Sequence, residues 1–264
     1  MQRSGRLIFI LFAFVLGGVC LVKITTGSIE TGVGLLMGIV SGLIGLATVA
    51  REKQDKWFLL RLFVGALALR WVISGAFSQF GLRPIISPDA DTYDFFGDLF
   101  LQTLQGINGA RWTPARQTNG WGMYYYVAGV YYLMGRSMLA IQMINGTLGA
   151  LTCILVYKIS CYVYPSIRVA RMAGILTAVT PSLVLWSSQP IKESPIMFCL
   201  SLSAYLGMKI CRRFDPISFL ALLAALFSLY SLRHYAFVIF FIGIAGALIF
   251  TSLKFSLVNS IQGI

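Results

Sequence analysis

Long apolar stretches separated by short polar turns run through almost the whole chain. Eight of them approach or reach the length of about 20 residues that crosses a bilayer as an α-helix. They cover approximately residues 7–23, 32–50, 57–77, 139–160, 169–188, 194–210, 217–232 and 235–253. The pattern therefore predicts an all-α polytopic membrane protein with about eight transmembrane helices.

A ninth, shorter apolar run at 121–134 decides the predicted topology. Its length corresponds to about 21 Å of helix, which is too short for a crossing. The run holds Trp121 and five tyrosines, and aromatic rings with a polar tip favour the headgroup boundary. We therefore expect an interfacial or re-entrant helix on the outer face of the membrane.

The basic residues agree with a topology in which 121–134 does not cross. In that case 12 of the 21 Lys and Arg residues face the cytoplasm and seven face outward, while Arg61 and Arg70 lie within a span. This is the distribution that the positive-inside tendency favours. Both termini are then expected in the cytoplasm, and the net charge of +12 reports orientation.

Composition and domain layout follow from the same pattern. With 58% hydrophobic and 11% charged residues, the chain is unlike soluble domains, which average about 25% charged, and a nucleic-acid partner is excluded. We expect an N-terminal transmembrane hairpin at 1–56 and a transmembrane module at 57–254 with an external loop at 78–137. Short surface helices, such as one at 91–104, are expected in that loop, and a cytoplasmic tail at 255–264.

Five of the nine acidic residues are predicted to face the outer compartment. They are Asp89, Asp91, Asp94, Asp98 and Glu193. Asp94 and Asp98 fit a solvated first turn of a helix, where aspartate is favoured. Asp89 and Asp91 directly follow Pro88 where the chain leaves a span, so either is a candidate general base toward a hydroxyl group.

Basic residues in other outer turns are candidates for binding a phosphate. Arg233, in the last outer turn, can hold a phosphate through two parallel hydrogen bonds, with Lys192 and His234 assisting. Arg70 lies about 10 Å of helix from the outer end of its span, and we expect it to snorkel toward the Asp-rich loop. His234 is the sole histidine, which makes a zinc site improbable.

Four short motifs occur in a fixed order along 57–240. They are an Asp-containing stretch before Tyr93, a Gly-Trp-Gly start to the Tyr-rich run at 120–125, a Leu-Met-Gly turn at 133–135, and Thr180-Pro181 followed by Lys192-Glu193-Ser194-Pro195. Their order resembles that in the C-type glycosyltransferase superfamily. This superfamily includes protein mannosyltransferases, the aminoarabinose transferases of lipid A and the catalytic subunits of oligosaccharyltransferases.

The resemblance implies an enzyme that moves a sugar from a polyprenyl-phosphate donor to a glycan, lipid or protein acceptor. The reaction is expected at the outer face of a bacterial inner (plasma) membrane. Asp89 or Asp91 would act as the base, and Glu193 would orient the acceptor or join Asp91 in holding a divalent metal ion. The donor phosphate would be bound by four residues: Arg233, Lys192, His234 and Arg70.

Two other functions are also compatible with the sequence. A transporter or lipid flippase normally places ionisable residues near the bilayer midplane between repeated halves, whereas the acidic residues here lie in outer turns. A non-catalytic membrane scaffold or assembly factor is the second alternative. In a scaffold, Asp89 or Asp91, Glu193 and Arg233 need not converge on one cavity, whereas in an enzyme they must.

Overall fold

A computed structural model describes residues 29–109, 111–114, 120–243 and 245–246. Its regular elements in these ranges are all helical, which confirms the predicted all-α class. The α-helices are α1 Ile29–Ala50, α2 Lys56–Phe80, α3 Arg83–Ile86, α4 Asp89–Gln105, α5 Trp121–Met134, α6 Met138–Val163, α7 Ile167–Val179, α8 Pro181–Ser187, α9 Glu193–Arg212, α10 Pro216–Leu232 and α11 His234–Gly243.

Four described helices, namely α1, α2, α6 and α9, are long and apolar enough to cross a membrane. The pair α7 and α8 passes the same length and composition test together, while α10 and α11 are shorter apolar helices. The predicted span at 7–23 and the predicted tail at 255–264 lie outside the described residues, and 235–253 is described only in part. The predicted count of eight crossings is therefore not confirmed.

The predicted continuous span at 169–188 is broken. α7 ends at Val179 and α8 begins at Pro181, with a bend of 56° between them. Proline has no N–H to donate to the preceding turn, and its ring forces the residue before it out of the helical region. Thr180 accordingly has ψ of 119°.

Arg70 satisfies the polar groups that this break exposes. The last turn of a helix leaves carbonyl oxygens without intrahelical donors. Arg70 is 1% exposed; its Nη1 donates to the Ala178 carbonyl at 3.2 Å and its Nε to Ser187 Oγ at 2.8 Å. The predictions that Arg70 snorkels outward and binds the donor phosphate are therefore corrected, because its donors are used inside the bundle.

α6 is the central helix of the bundle. It packs against α1, α2, α7 and α9, and most of its side chains along the whole length are buried. α4 and α5 pack against each other beside this bundle, and α10 packs against both α9 and α5. The loop predicted to be external, 78–137, thus contains two helices that pack against each other.

The segment at 188–191, which joins α8 to α9, is non-helical but buried. Asn145 Nδ2 donates to the carbonyls of Gln189 (2.7 Å) and Ile191 (2.9 Å), and Gln142 Nε2 donates to the Ser188 carbonyl at 3.2 Å. At membrane depth, irregular backbone is tolerated only where protein or a polar cavity satisfies it. Amide side chains of α6 therefore fix the point at which α9 begins.

Ion pairs close the opposite end of the bundle. Arg171 of α7 makes two hydrogen bonds of 2.7 Å to Asp55, and Lys158 of α6 lies 2.7 Å from Glu52. The hydrogen bonds from Arg171 hold the pKa of Asp55 below its ordinary value. The structure therefore places these four residues together at one end of the bundle.

Replacing Arg70 by leucine is expected to lower the free energy of unfolding by about 3 kcal/mol. The buried Ala178 carbonyl and Ser187 hydroxyl would lose a charged donor, which costs more than a neutral hydrogen bond. SDS titration in mixed micelles measures this change. The matched control is Arg168→Leu, at an exposed position of α7, for which a change within about 0.5 kcal/mol is expected; equal effects of the two variants would contradict the assigned role.

Candidate functional site

Asp89 and Glu193 line one cavity of about 250 Å³. Asp89 is the first residue of α4 and Glu193 the first residue of α9. Ser87 and Ile191 contribute from the segments before these helices, and Trp186 contributes from α8. The fold therefore brings together two acidic residues far apart in the sequence, as the hypothesis of an active site at one end of the bundle requires.

Arg233 lies next to Glu193 at the end of α10. Its Nη2 is 3.4 Å from Glu193 Oε1, and each side chain is 32% exposed. An ion pair at this exposure and distance contributes little to stability. Arg233 is therefore available to exchange its carboxylate partner for a ligand anion.

Lys192 and His234 occupy different surroundings. Lys192 Nζ lies 5.7 Å from the centre of the Tyr93 ring, so its charge faces the same region as Asp89 and Glu193. His234 is exposed and packs edge-on against Tyr235. The structure thus brings Lys192 toward the cavity and leaves His234 beside Arg233 at the surface.

Tyr93 connects these charged groups. The residue is 7% exposed, and burial raises the pKa of its phenol far above the ordinary value. The carboxylates of Asp89 and Glu193 raise this pKa further, while Arg233 opposes them. Tyr93 therefore stays protonated at neutral pH and can donate a hydrogen bond within the site.

Asp91 does not line this cavity. It follows Asp89 by two helical residues, which is about 200° around the helix axis, and its side chain is exposed. Within the described part of the chain, no three His, Cys, Asp or Glu side chains come together as a metal site. The structure therefore does not place Asp91 beside Glu193 for joint binding of a metal ion.

Asp94 and Asp98 are not the solvated helix start that was predicted. Arg136 pairs with both, with Nη1 at 3.2 Å from Asp98 Oδ2, and the Tyr131 hydroxyl donates to Asp94. The two carboxylate side chains are only 13% and 18% exposed. They anchor α4 to α5 and to the turn before α6.

An apolar groove of about 800 Å³ lies between α9, α10 and α11. Tyr235 and Ala236 line the part nearest to Arg233, whereas Met208 and Cys211 line the part toward the other end of α9. The Arg233 guanidinium sits 5.3 Å from the Tyr235 ring. The polar site therefore adjoins, through Arg233 and Tyr235, an apolar groove that is lined by α9 residues from Leu200 to Arg212.

The sequence did not predict the buried amide side chains that hold the backbone of the site in place. Asn145 and Gln142 are fully buried and hold the backbone before Glu193. Ser87 Oγ donates to Gln189 Oε1 at 2.9 Å, which ties the segment before α4 to the segment before α9. The available signal was the presence of two amides in an apolar span, where polar side chains form interhelical hydrogen bonds.

Gly122 permits the close packing of α5 on α10 that positions Arg233. A Cβ at this position would lie 2.3 Å from Ser231 Oγ and 2.8 Å from Ser231 Cβ. Such a contact cannot form without moving one helix. The Gly-Trp-Gly motif at the start of α5 thus has a packing role at the wall of the site.

No known family model, curated protein or solved structure matches this chain. The likeness to C-type glycosyltransferases therefore rests on the order and spacing of the motifs at 88–93, 120–125, 133–137 and 180–195.

Gly122→Ala is expected to lower the free energy of unfolding by about 1–3 kcal/mol through overpacking against Ser231. Gly129→Ala is the matched control on the same helix, because a Cβ there meets no atom within 4 Å, and it should stabilise by about 0.5–1 kcal/mol. SDS titration reports both values. Stabilisation by both alanines would show that α5 and α10 do not pack this closely.

Proposed function

We propose that this protein is a glycosyltransferase that moves a sugar from a polyprenyl-phosphate donor to an acceptor hydroxyl at the outer face of the membrane. One observation carries the proposal: Asp89 and Glu193 share a cavity next to Arg233 and an apolar groove. A carboxylate base, a phosphate-binding cation and a channel for a lipid tail are the parts that this reaction needs. The motif order of the sequence supports the same reaction.

Asp89 is the proposed base. It accepts the proton of the acceptor hydroxyl while the hydroxyl oxygen bonds to the anomeric carbon and the bond from that carbon to the phosphate oxygen breaks. A positioned general base contributes about 10²–10⁴ in rate. Glu193 is proposed to orient the acceptor, and the protonated Tyr93 phenol can hydrogen-bond to a sugar oxygen.

Arg233 is the proposed partner of the departing phosphate. Its weak pairing with Glu193 leaves its guanidinium free to stabilise the negative charge that develops on the phosphate oxygens. Lys192 adds a second positive charge near Tyr93. The groove that begins at Tyr235 would accept the polyprenyl tail, which keeps the tail in an apolar environment while the phosphate stays at Arg233.

Convergence of these groups favours an enzyme over a scaffold. A scaffold does not require Asp89, Glu193 and Arg233 to lie close together. Their placement around Tyr93 therefore supports a catalytic role. Arg70, the buried charged residue of the described spans, donates hydrogen bonds to polar groups at the break between α7 and α8. This role supports a structural assignment for Arg70 over a place in a transport pathway.

Asp89→Asn is expected to lower the rate of sugar transfer at least about 100-fold, because the amide cannot accept the hydroxyl proton. Asp91→Asn is a matched control two residues away, outside the proposed machinery, and should keep the wild-type rate. The assay follows transfer from a panel of synthetic polyprenyl-phosphate sugars by reconstituted protein. Wild-type rates in the Asp89 variant, or the reversed order of the two variants, would reject the assignment.

Arg233→Gln is expected to reduce kcat by about 100-fold, since one donor to the developing phosphate charge is lost. Arg233→Lys keeps the charge and should recover part of this loss. Steady-state kinetics with the same donors separates kcat from KM. An effect confined to KM would mean that Arg233 binds the donor equally before and during the reaction.

A further inference from the structure

A second polar cavity lies beside the ends of α1, α2 and α6. Its volume is about 370 Å³, within the range of small-molecule sites. Charged side chains of both signs line it: Glu30, Arg83, Asp94 and Arg136. The cavity that contains Asp89 and Glu193 shares none of these lining residues.

Two of the four charges are already neutralised by each other. Arg136 pairs with Asp94 and Asp98, and the Tyr131 hydroxyl completes the coordination of Asp94. Arg136 is thus occupied by two carboxylates, and this wall of the cavity offers a ligand no unpaired positive charge. Ligand recognition therefore falls to Arg83 and Glu30.

Arg83 has an unusually poor partner for a half-buried guanidinium. Its Nη1 points at the sulfur of Met138 at 2.9 Å, and a thioether is only a weak acceptor. Among the described residues, no carboxylate lies within 4 Å of Arg83, and no Lys or Arg nitrogen lies within 4 Å of the Glu30 carboxylate. Arg83 and Glu30 thus line the same cavity without an ion-pair partner among the described residues.

We propose that this cavity binds the zwitterionic headgroup of a phospholipid. Arg83 holds the phosphate through its planar fork of donors, and Glu30 receives the ammonium group. A free inorganic anion fits less well, because it would face the carboxylates of Glu30 and Asp94 without a compensating positive charge of its own.

The surroundings of the cavity favour a lipid over a soluble zwitterion. Phe80, at the end of α2, is 74% exposed and Ile85, two residues after Arg83, is 80% exposed. Large apolar side chains at the ends of membrane-length helices suit contact with acyl chains. The headgroup would therefore enter the cavity while the acyl chains remain against these residues.

The test measures which lipids the full chain retains. The protein is placed in nanodiscs with equal amounts of phosphatidylethanolamine and phosphatidylglycerol, then extracted in mild detergent, and the retained lipid is quantified by mass spectrometry. Wild type should retain phosphatidylethanolamine about tenfold over phosphatidylglycerol, the ratio expected for one charge-assisted contact. Equal retention of the two lipids would overturn the proposal.

Two variants separate the two contacts. Arg83→Gln should lower retention of phosphatidylethanolamine about tenfold, whereas Arg111→Gln, at an exposed position outside the cavity, should behave as wild type. Glu30→Gln should abolish the preference between the lipids, and this variant keeps the proposal testable if the Arg83 variant does not fold. A wild-type preference in Glu30→Gln would reject the zwitterion.

A further measurement distinguishes lipid from free phosphate. Inorganic phosphate or phosphoethanolamine is added to the delipidated wild type, and the midpoint of thermal unfolding is recorded. Phosphoethanolamine should raise the midpoint more than inorganic phosphate does, and the reverse order would overturn the proposal. Glu193→Gln should leave lipid retention unchanged, so that failure of the lipid site and failure of the proposed transferase are separate results.

Discussion

The structure depends on satisfying backbone polar groups where helices are interrupted inside an apolar bundle. Helical structure is interrupted twice in close succession, first at Thr180 and again at 188–191. Each break would be unfavourable in the interior of the bundle without internal donors, because a buried carbonyl group without a hydrogen-bond donor costs free energy. Arg70 of α2 and two amides of α6 supply the donors. The interruption in turn lets α9 begin just after the buried segment 188–191, with Glu193 as its first residue.

The arrangement explains why residues far apart in the sequence meet. Ser87 and Gln189 are hydrogen-bonded, so the start of α4 and the start of α9 are fixed to each other by short local contacts. Arg233 is placed independently through the packing of α10 against α5 and α9. Two rigid connections therefore bring a base candidate, an acidic partner and a cation into one region. Their surroundings are partly exposed, which leaves room for substrates.

Helix type and position were largely predictable from the sequence, because apolar periodicity and length report directly on burial in a membrane. The 14-residue helix at Trp121–Met134 and the surface helix at Asp89–Gln105 follow from such patterns. Pro181 also indicates a helix break, but the apolar residues on both sides of it led to the prediction of one continuous span at 169–188. The role of Arg70 was missed because its position in the span is compatible with two orientations of the side chain. It can extend outward toward the membrane surface, or it can stay buried between helices. Only knowledge of the neighbouring helix break distinguishes them.

The site was predictable in outline and not in detail. One-sided placement of acidic residues indicated Asp89 and Glu193, yet spacing alone left Asp91 equal to Asp89, since both follow Pro88. The choice depends on the rotation of α4, which is set by Tyr93, Phe100 and other buried residues of its inner face. The pairing of Arg136 with Asp94 similarly required the tertiary fold, because Asp94 lies on α4 and Arg136 lies 42 residues later in the turn between α5 and α6.

α4 is one continuous helix whose side chains line two separate cavities. Asp89 borders one and Asp94 borders the other, and the two positions are about 7.5 Å apart along the axis. Arg136 contacts α4 at Asp94, and the hydrogen bond from Ser87 to Gln189 holds the segment just before Asp89. One helix therefore supplies a carboxylate to each of the two cavities, and its placement sets the position of both.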